Sequence, residues 1–211
     1  MRDRIDPLTD YAESLSGPVP AYLERVERLT YLRTLAPQMM SGRLQGRILA
    51  MLSRLRQPRR ILEIGTFTGY ATLCLAEGLP AGGVIHTIEG NEETAALARR
   101  NFAESPFADR IVLHDQQAAE VIPRLNETFD LIYLDGDKQG YPEYIELLVP
   151  RLSSGGLLIA DNVLWDGKVG KKTTSPTARR LAEYNSLVAN DQRLEVVVLP
   201  VRDGLSVARR V

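Results

Sequence analysis

The amino-acid sequence predicts an α/β fold, in which helices cover both faces of a doubly wound, mostly parallel β-sheet. From residue 60 onward, short apolar segments alternate with helical segments of about ten residues, a pattern typical of consecutive βαβ units. Two of the apolar segments, residues 130–135 and 156–162, end in polar side chains that include a carboxylate. The last two, residues 194–200 and 205–208, are joined by a short link. So short a connection predicts an antiparallel hairpin at the end of the sheet.

The composition is that of one ordinary globular domain. The 211 residues include 44% hydrophobic and 25% charged residues, and the formal net charge is −1. These values predict no overall attraction to nucleic acid or to an anionic membrane. No apolar run approaches the roughly 20 residues needed to cross a bilayer, and the N-terminus lacks the apolar segment of a signal peptide. The single cysteine, Cys74, excludes an internal disulfide and fits a cytoplasmic location, and we expect it to fill a buried space.

The first 57 residues are predicted to be helical, because apolar positions recur at spacings of three and four in residues 22–29. Glycine and prolines in residues 16–20 separate one helix from the next, and a further helix covers residues 44–55. Residues 38–42, here called the methionine loop, precede that helix. From the residues alone, this loop is either a simple connection or the edge of a lid over a ligand.

The remaining residues, 58–211, are predicted to form the core of a single domain that spans the whole chain. Together with the hairpin, the core strands make a seven-stranded, Rossmann-like sheet. The predicted core strands are residues 61–65, 84–89, 111–114, 130–135 and 156–162, and the predicted helices are residues 70–78, 92–102, 118–125 and 144–152.

The turn after the first strand predicts a nucleoside-containing ligand. A dinucleotide-binding turn would have the pattern G-x-G-x-x-G, whereas here only Gly65 and Gly69 are present, with Glu63 two residues before Gly65. Glu89 ends the second strand, where a carboxylate can accept hydrogen bonds from both ribose hydroxyls. This placement is common to several nucleoside cofactors and does not by itself identify the chemistry.

The carboxyl ends of the fourth and fifth strands predict a metal site. If these strands are neighbours, Asp135, Asp161 and Asn162 lie side by side, with Lys138 close to them. Two carboxylates and an amide form an oxygen-only ligand set, which suits Mg²⁺. No thiolate or imidazole lies near them in the sequence, which disfavours zinc and copper. A positioned lysine can remove a proton from a hydroxyl group.

Four segments together resemble the cation-dependent O-methyltransferases, which include catechol and caffeoyl-coenzyme A O-methyltransferases: residues 63–70, 135–138, 161–169 and 199–205. The resemblance implies that S-adenosylmethionine donates a methyl group and that a divalent cation assists, with Mg²⁺ first and Mn²⁺ or Ca²⁺ as alternatives. It also implies that the methionine loop is a cofactor lid. Arg202 stands where the family frequently has glycine; it either adds a charge near the site or caps the hairpin.

The resemblance assigns roles to individual residues. Asp135, Asp161 and Asn162 would be the metal ligands, and Lys138, beside Asp135, would be the general base. Lys138, Trp165 and Asp166 would line the acceptor pocket. The residues that would contact the cofactor are Met39, Ser41, Glu63, Gly65, Phe67, Gly69, Glu89, Ala118 and Asp135.

Three functions are consistent with these features. The first is O-methylation of a small catechol or caffeoyl-like phenol. The second keeps the reaction but uses hydroxylated uridine in transfer RNA, with basic residues as phosphate contacts. The third is a binding protein without turnover, against which the intact site residues argue. The resemblance also implies a homodimer formed through the N-terminal helices. The candidate phosphate contacts are Arg54, Arg56, Arg59, Arg60, Lys168, Lys171 and Lys172.

Overall fold

The computed structural model describes residues 7–170 and 175–211, so Lys171 and Lys172 lie outside the described residues. The helices are α1 (Pro7–Leu15), α2 (Ala21–Arg33), α3 (Arg43–Arg56), α4 (Tyr70–Ala76), α5 (Glu92–Ala103), α6 (Ala118–Val121), α7 (Tyr141–Leu148) and α8 (Pro176–Asn190). The strands are β1 (Arg60–Ile64), β2 (Val84–Ile88), β3 (Ile111–His114), β4 (Phe129–Leu134), β5 (Leu152–Ala160), β6 (Leu194–Leu199) and β7 (Leu205–Arg210).

The strands of the described residues form one seven-stranded sheet in the order β3-β2-β1-β4-β5-β7-β6. The first five in this order pair in parallel, and β7 pairs antiparallel with both β5 and β6. This arrangement confirms the predicted fold class, including the C-terminal antiparallel hairpin. The order reverses direction between β1 and β4, and ligands of open α/β sheets bind at such a point.

Three neighbouring strands end at the same level of the sheet. Ile64 of β1 is opposite Leu134 of β4, and Leu134 is opposite Ala160 of β5. The residue that follows each of these positions therefore lies at the same edge, above the switch between β1 and β4. Those residues are Gly65, Asp135 and Asp161.

The sheet separates two hydrophobic clusters. On one face, α2, α3 and α4 pack with side chains such as Leu49, Leu73 and Tyr133. On the other face, α7 and α8 pack with side chains such as Ile132 and Tyr184. Tyr133 and Ile132 belong to opposite clusters because successive side chains of a strand point to opposite faces.

Helices α3 and α4 pack closely beside the switch point. A Cβ atom on Gly46 would come within 2.7 Å of the Tyr70 ring and 2.9 Å of the Cys74 sulfur, so the two helices meet because this residue has no side chain. Cys74 is fully buried, as predicted, and burial raises its pKa to about 12. A buried thiol of this kind fills space and is not a nucleophile.

Two helical segments differ from the prediction. Helix α7 begins at Tyr141 and ends before a short 3₁₀ turn, so that β5 already begins at Leu152, where the helix was expected to end. Pro142 favours the earlier start, because proline suits the first turn of a helix. Helix α8 was not assigned, although Ser175 caps it by accepting a bond from the Ala178 amide at 3.3 Å. No described helix is long and apolar enough to cross a membrane.

The two histidines lie together at one edge of the parallel sheet. His86 Nδ1 on β2 is 3.0 Å from His114 Nε2 on β3, and the rings are stacked. The other nitrogen of His86 lies 3.3 Å from Glu127 Oε1, and Arg60 also pairs with Glu127. Burial lowers the pKa of both histidines, and the Glu127 carboxylate opposes this effect. A positive charge on Arg60 lowers the pKa of His86 further, and a positive charge on His86 lowers that of His114.

We predict that the histidine pair makes the fold sensitive to mild acid. The folded protein favours neutral rings, whereas the unfolded chain takes up protons near the ordinary pKa of about 6.5. Above that pH both states carry neutral histidines, so the pair does not change the free energy of unfolding. As the pH drops below it, the unfolded chain binds more protons, and the free energy of unfolding should fall. Urea denaturation at about pH 7.5 and about pH 5.5 measures the loss. His114→Gln should reduce it, and an identical loss in the variant would contradict the prediction.

Candidate active site

A cavity of about 1360 Å³ opens at the carboxyl ends of β1, β2, β4 and β5. A typical ligand pocket measures about 300–1,000 Å³, so this one has room for two molecules side by side. One end is lined by the β1–α4 turn and Glu89, and the other by the residues that follow β4 and β5. The methionine loop contributes to the wall, and so does the β6–β7 turn.

The β1–α4 turn is pressed against the start of the next loop. Gly65 has φ 99°, and a Cβ atom there would come within 2.4 Å of the Asp135 carbonyl oxygen. Only glycine combines this backbone conformation with so close an approach. Two residues further on, the Phe67 backbone N–H donates to Glu89 Oε2 at 2.6 Å, and the Asn91 N–H donates to Glu89 Oε1 at 3.0 Å. The Glu89 carboxylate is therefore held at the cavity wall by two backbone donors.

Glu63 lies beneath this turn and is fully buried. Its Oε2 atom accepts hydrogen bonds from the hydroxyls of Thr72 and Thr87, while Oε1 has no partner. Burial raises the pKa of Glu63 to about 8, even though the two threonine hydroxyls act in the opposite direction. The side chain joins β1 to β2 and α4, and it is not part of the cavity wall.

Asp135 and Lys138 form a pair on the cavity wall. Lys138 Nζ donates to Asp135 Oδ1 at 2.8 Å and to the Gly136 carbonyl oxygen at 3.0 Å. Burial raises the pKa of Asp135 to about 6, the Lys138 ammonium opposes that rise, and the carboxylate of Asp161 adds to it. The pair therefore presents a carboxylate and an amine to the same space.

Two residues that the sequence analysis did not predict, Gln45 and Tyr133, contact the Asp161 carboxylate. Gln45 Nε2 donates to Asp161 Oδ2 at 2.8 Å and to the Tyr133 hydroxyl at 3.0 Å. The Tyr133 hydroxyl lies 3.4 Å from one oxygen of Asp135 and 3.4 Å from one oxygen of Asp161. The Asn162 backbone N–H donates to Asp161 Oδ1 at 2.7 Å. These contacts fix both carboxylates in one orientation.

The donor set fits a divalent cation. Asp135, Asp161 and Asn162 all line the cavity, and hard oxygen atoms are the ligands that Mg²⁺ prefers. The Asp161 carboxylate raises the pKa of Asp135, and a cation between the two would offset that repulsion. Among residues 7–170 and 175–211, no group of three or more histidine, cysteine, aspartate or glutamate side chains could hold a metal. The set here has two carboxylates, and its third member is an amide.

Another part of the cavity wall is built from two turns that hydrogen-bond to each other, the one after β5 and the β6–β7 turn. The Val163 N–H donates to the Gly204 carbonyl at 3.1 Å, and the Leu164 N–H donates to the Asp203 carbonyl at 2.9 Å. Trp165 projects from the first of these turns onto the wall. The Asp166 side chain is largely exposed and pairs with Lys168, away from the cavity.

Ten of the predicted site residues share the cavity wall: Met39, Ser41, Gly65, Phe67, Glu89, Asp135, Lys138, Asp161, Asn162 and Trp165. Four do not: Glu63, Gly69, Ala118 and Asp166. Glu63 points into the core, and Gly69 packs against Phe102. Ala118 begins α6 and packs against the second hydrophobic cluster. These four assignments therefore stay predictions from the sequence.

The sequence prediction missed three residues that shape the site: Gln45, Tyr133 and Asp203. Arg202, expected either to add a charge near the site or to cap the hairpin, lines the cavity wall. Tyr133 could have been found, because it lies two residues before Asp135 on the same strand face. Gln45 interrupts the apolar face of α3, where a buried polar residue indicates a partner. Burial raises the pKa of Asp203.

A seven-stranded α/β sheet with a cavity at its switch point is typical of doubly wound proteins that bind nucleoside cofactors. A family model described as O-methyltransferase matches residues 13–211. A catechol O-methyltransferase from Niastella koreensis is 31% identical over 174 residues, which are 78% of this chain and 79% of the relative. Caffeoyl-CoA O-methyltransferase 1 from Eucalyptus globulus is 33% identical over 179 residues, 79% of this chain and 73% of the relative.

Solved structures agree with the sequence comparison. An O-methyltransferase from Bacillus cereus, in complex with SAH, superposes with a TM-score of 0.90 at 29% identity, covering 97% of each chain. The O-methyltransferase TomG from Streptomyces achromogenes, in complex with SAM, gives a TM-score of 0.90 at 27% identity and covers 100% of this chain and 99% of its own. The chain therefore belongs to the O-methyltransferase family, which confirms the resemblance and the predicted enzyme class.

We predict that Gly65→Ala destabilises the protein by more than backbone strain alone accounts for. A non-glycine residue at positive φ costs about 1–2 kcal/mol, and the new methyl group would also collide with the Asp135 carbonyl. Gly82→Ala is the matched control, because Gly82 has φ 75° and nothing within 4 Å of an added Cβ. Urea denaturation should show a clearly larger loss for Gly65→Ala. Equal losses in the two variants would contradict the prediction.

Proposed function

We propose that this O-methyltransferase transfers a methyl group from S-adenosylmethionine to a hydroxyl of a small catechol or caffeoyl-like phenol, with a divalent cation at Asp135, Asp161 and Asn162. The observation that carries the proposal is that Lys138 and these three oxygen donors share one cavity with the Gly65 turn. The relatives act on catechol and caffeoyl-CoA, according to their names. The solved neighbours contain SAH and SAM.

The end of the cavity near Glu89 suits the methyl donor. Both oxygens of Glu89 already accept backbone N–H groups, and the remaining lone pairs can accept the two ribose hydroxyls. Gly65 lets the methionine part of the donor approach the backbone of the turn. Met39 and Ser41 line the wall from the methionine loop and would cover the donor. Water exclusion and fixed orientation are the main requirements of a methyl transfer and can lower the barrier by roughly 7–11 kcal/mol.

The other end of the cavity suits a phenolic acceptor. A cation bound there would lower the pKa of a coordinated hydroxyl and orient it toward the donor. In its neutral amine form Lys138 would accept the hydroxyl proton and become the ammonium, while the oxygen forms a bond to the methyl carbon and the bond from that carbon to sulfur breaks. The products are the methyl ether and S-adenosylhomocysteine. Trp165 provides the flat apolar wall for the aromatic ring.

The geometry does not favour transfer RNA as the acceptor. Arg54, Arg56 and Arg60 each form an ion pair with a carboxylate of this chain, at 2.8, 3.1 and 2.9 Å. Lys168 pairs with Asp166 at 3.2 Å. Basic side chains that already pair with carboxylates of the same chain are less suited to bind phosphate groups. In addition, no aromatic residues stand between them in the sequence to stack on bases.

A homodimer formed through the N-terminal helices is part of the proposal. Leu8 and Leu15 of α1, Tyr31 and Leu32 of α2, and Leu35 after it are large apolar side chains left exposed in the single chain. Exposed apolar side chains on neighbouring helices would be covered in such a dimer, which supports this part of the proposal. The cytoplasmic location and the division into residues 1–57 and 58–211 stay predictions from the sequence.

The proposed function is tested by a labelled-methyl assay with phenols, catechols, caffeoyl thioesters and undermodified transfer RNA, each with and without a chelator. We expect transfer to a vicinal-diol phenol that stops when the chelator is present. Transfer only to transfer RNA, with steep salt dependence, would overturn the choice of acceptor. Absence of transfer to every acceptor would favour a binding protein without turnover.

We predict that Asp161→Ala abolishes both divalent-cation binding and methyl transfer, because the remaining donors cannot hold the cation. Mn²⁺ titration followed by electron paramagnetic resonance measures binding without depending on turnover. Asp109→Ala is the control, since Asp109 is an exposed carboxylate in the 3₁₀ turn before β3. Chelator-resistant activity in the Asp161 variant would disprove the metal assignment.

We predict that Lys138→Ala lowers turnover by about 10²–10⁴-fold, the usual contribution of a positioned general base. Binding of S-adenosylhomocysteine, measured by calorimetry, should change little. Lys168→Ala removes an exposed lysine of the neighbouring loop and should leave turnover unchanged. Loss of S-adenosylhomocysteine binding in the Lys138 variant would instead identify a structural lysine.

A further inference from the structure

We propose that Arg202 is a positioning residue that ties the methionine loop to the β6–β7 turn and thereby holds that loop over the methyl donor. The proposal rests on the proposed function, because it assumes that the methionine loop covers S-adenosylmethionine. It assigns a role to a residue that stands where the sequence resemblance leads one to expect glycine.

The contacts of Arg202 join segments that are far apart in the chain. Its Nη1 atom donates to the Met40 carbonyl oxygen at 3.0 Å, and its Nη2 atom donates to the Gln38 carbonyl oxygen at 3.3 Å. These two carbonyls flank Met39, whose side chain lines the cavity together with that of Ser41. One planar guanidinium therefore spans both sides of the loop residue that would cover the donor.

The backbone of Arg202 supports the same role. Arg202 has φ 48°, in the left-handed region that glycine adopts freely and other residues adopt at a cost of about 1–2 kcal/mol. A non-glycine residue in this conformation is kept in place by its surroundings, and such residues are common at ligand-binding sites. Here the side chain provides the compensating interaction, namely two charge-assisted hydrogen bonds to the methionine loop.

The turn that carries Arg202 is itself fixed to the acceptor wall. Asp203 and Gly204 accept backbone hydrogen bonds from the turn that bears Trp165. A Cβ atom on Gly204 would come within 2.4 Å of the Leu164 side chain, so the two turns are in close contact. Arg202 thus connects the loop over the donor to the wall of the acceptor space, and ordering one of them favours ordering of the other.

Arg202→Gly separates this role from ordinary structural support. Glycine relieves the backbone strain but also removes the two hydrogen bonds, so the two effects on thermal stability oppose each other. Loss of the two hydrogen bonds should weaken binding of S-adenosylhomocysteine by about tenfold, as measured by calorimetry. Hydrogen exchange should become faster at the Met39 and Met40 amides. In the unaltered protein these amides donate to the carbonyls of Ala36 and Pro37, just before the loop. Arg202→Lys keeps the charge but cannot span both carbonyls, and it should weaken binding by about threefold.

Gln57→Gly is the matched control. Gln57 also has φ 48°, but it lies at the end of α3, away from the cavity. This variant relieves the same backbone strain without removing a bond to the methionine loop, so S-adenosylhomocysteine affinity should be unchanged. Affinity within twofold of the wild type for both Arg202 variants, or unchanged exchange at Met39 and Met40, would overturn the proposal. Failure of the unaltered protein to bind S-adenosylhomocysteine would overturn the proposed function itself.

Discussion

The alignment of strand ends at one edge of the sheet is the constraint on which the rest of the site depends. The backbone amide of each residue after a strand bonds to the last carbonyl of the neighbouring strand: Asp135 to Ile64 at 2.8 Å and Asp161 to Leu134 at 3.0 Å. Glu89 is held in the same way by His114 at 3.0 Å. Because side chains alternate along a strand, a slip of one residue would turn these carboxylates to the opposite face. The register of the sheet therefore determines the chemistry of the cavity.

Placing two carboxylates side by side in a largely buried position is unfavourable, and the surrounding residues offset the cost. Lys138 supplies a positive charge to Asp135, and Gln45 donates a hydrogen bond to Asp161. The Tyr133 hydroxyl accepts a hydrogen bond from Gln45 and lies between the two carboxylates. Partners of metal ligands commonly fix ligand orientation in this way. These supporting residues come from different elements, since Gln45 belongs to α3 and Lys138 to the short 3₁₀ turn that follows β4.

The sequence was sufficient to predict the sheet, the hairpin and the part of the cavity wall at the strand ends, because strands, glycine turns and strand-end carboxylates are local features. It was not sufficient for Glu63, whose position beside the Gly65 turn gave no indication that the side chain points into the core. It also missed Gln45, because the contact with Asp161 joins residues 116 positions apart. Helix α8 was not predicted, even though Ser175 and the proline after it are typical of the start of a helix. Long-range contacts and side-chain direction are the properties that periodicity does not report.

Helix α3 begins immediately after the methionine loop, with Gly42 at its N-cap, and Gln45 lies in its first turn. The loop proposed to cover the methyl donor and the side chain that supports Asp161 are therefore consecutive parts of one short segment, separated by less than one helical turn. A displacement of the loop that reached this turn would also disturb the cradle of the cation. If both ligands bind as proposed, occupancy of the donor space and affinity for the cation would be coupled, and each ligand would change the affinity for the other by the same factor.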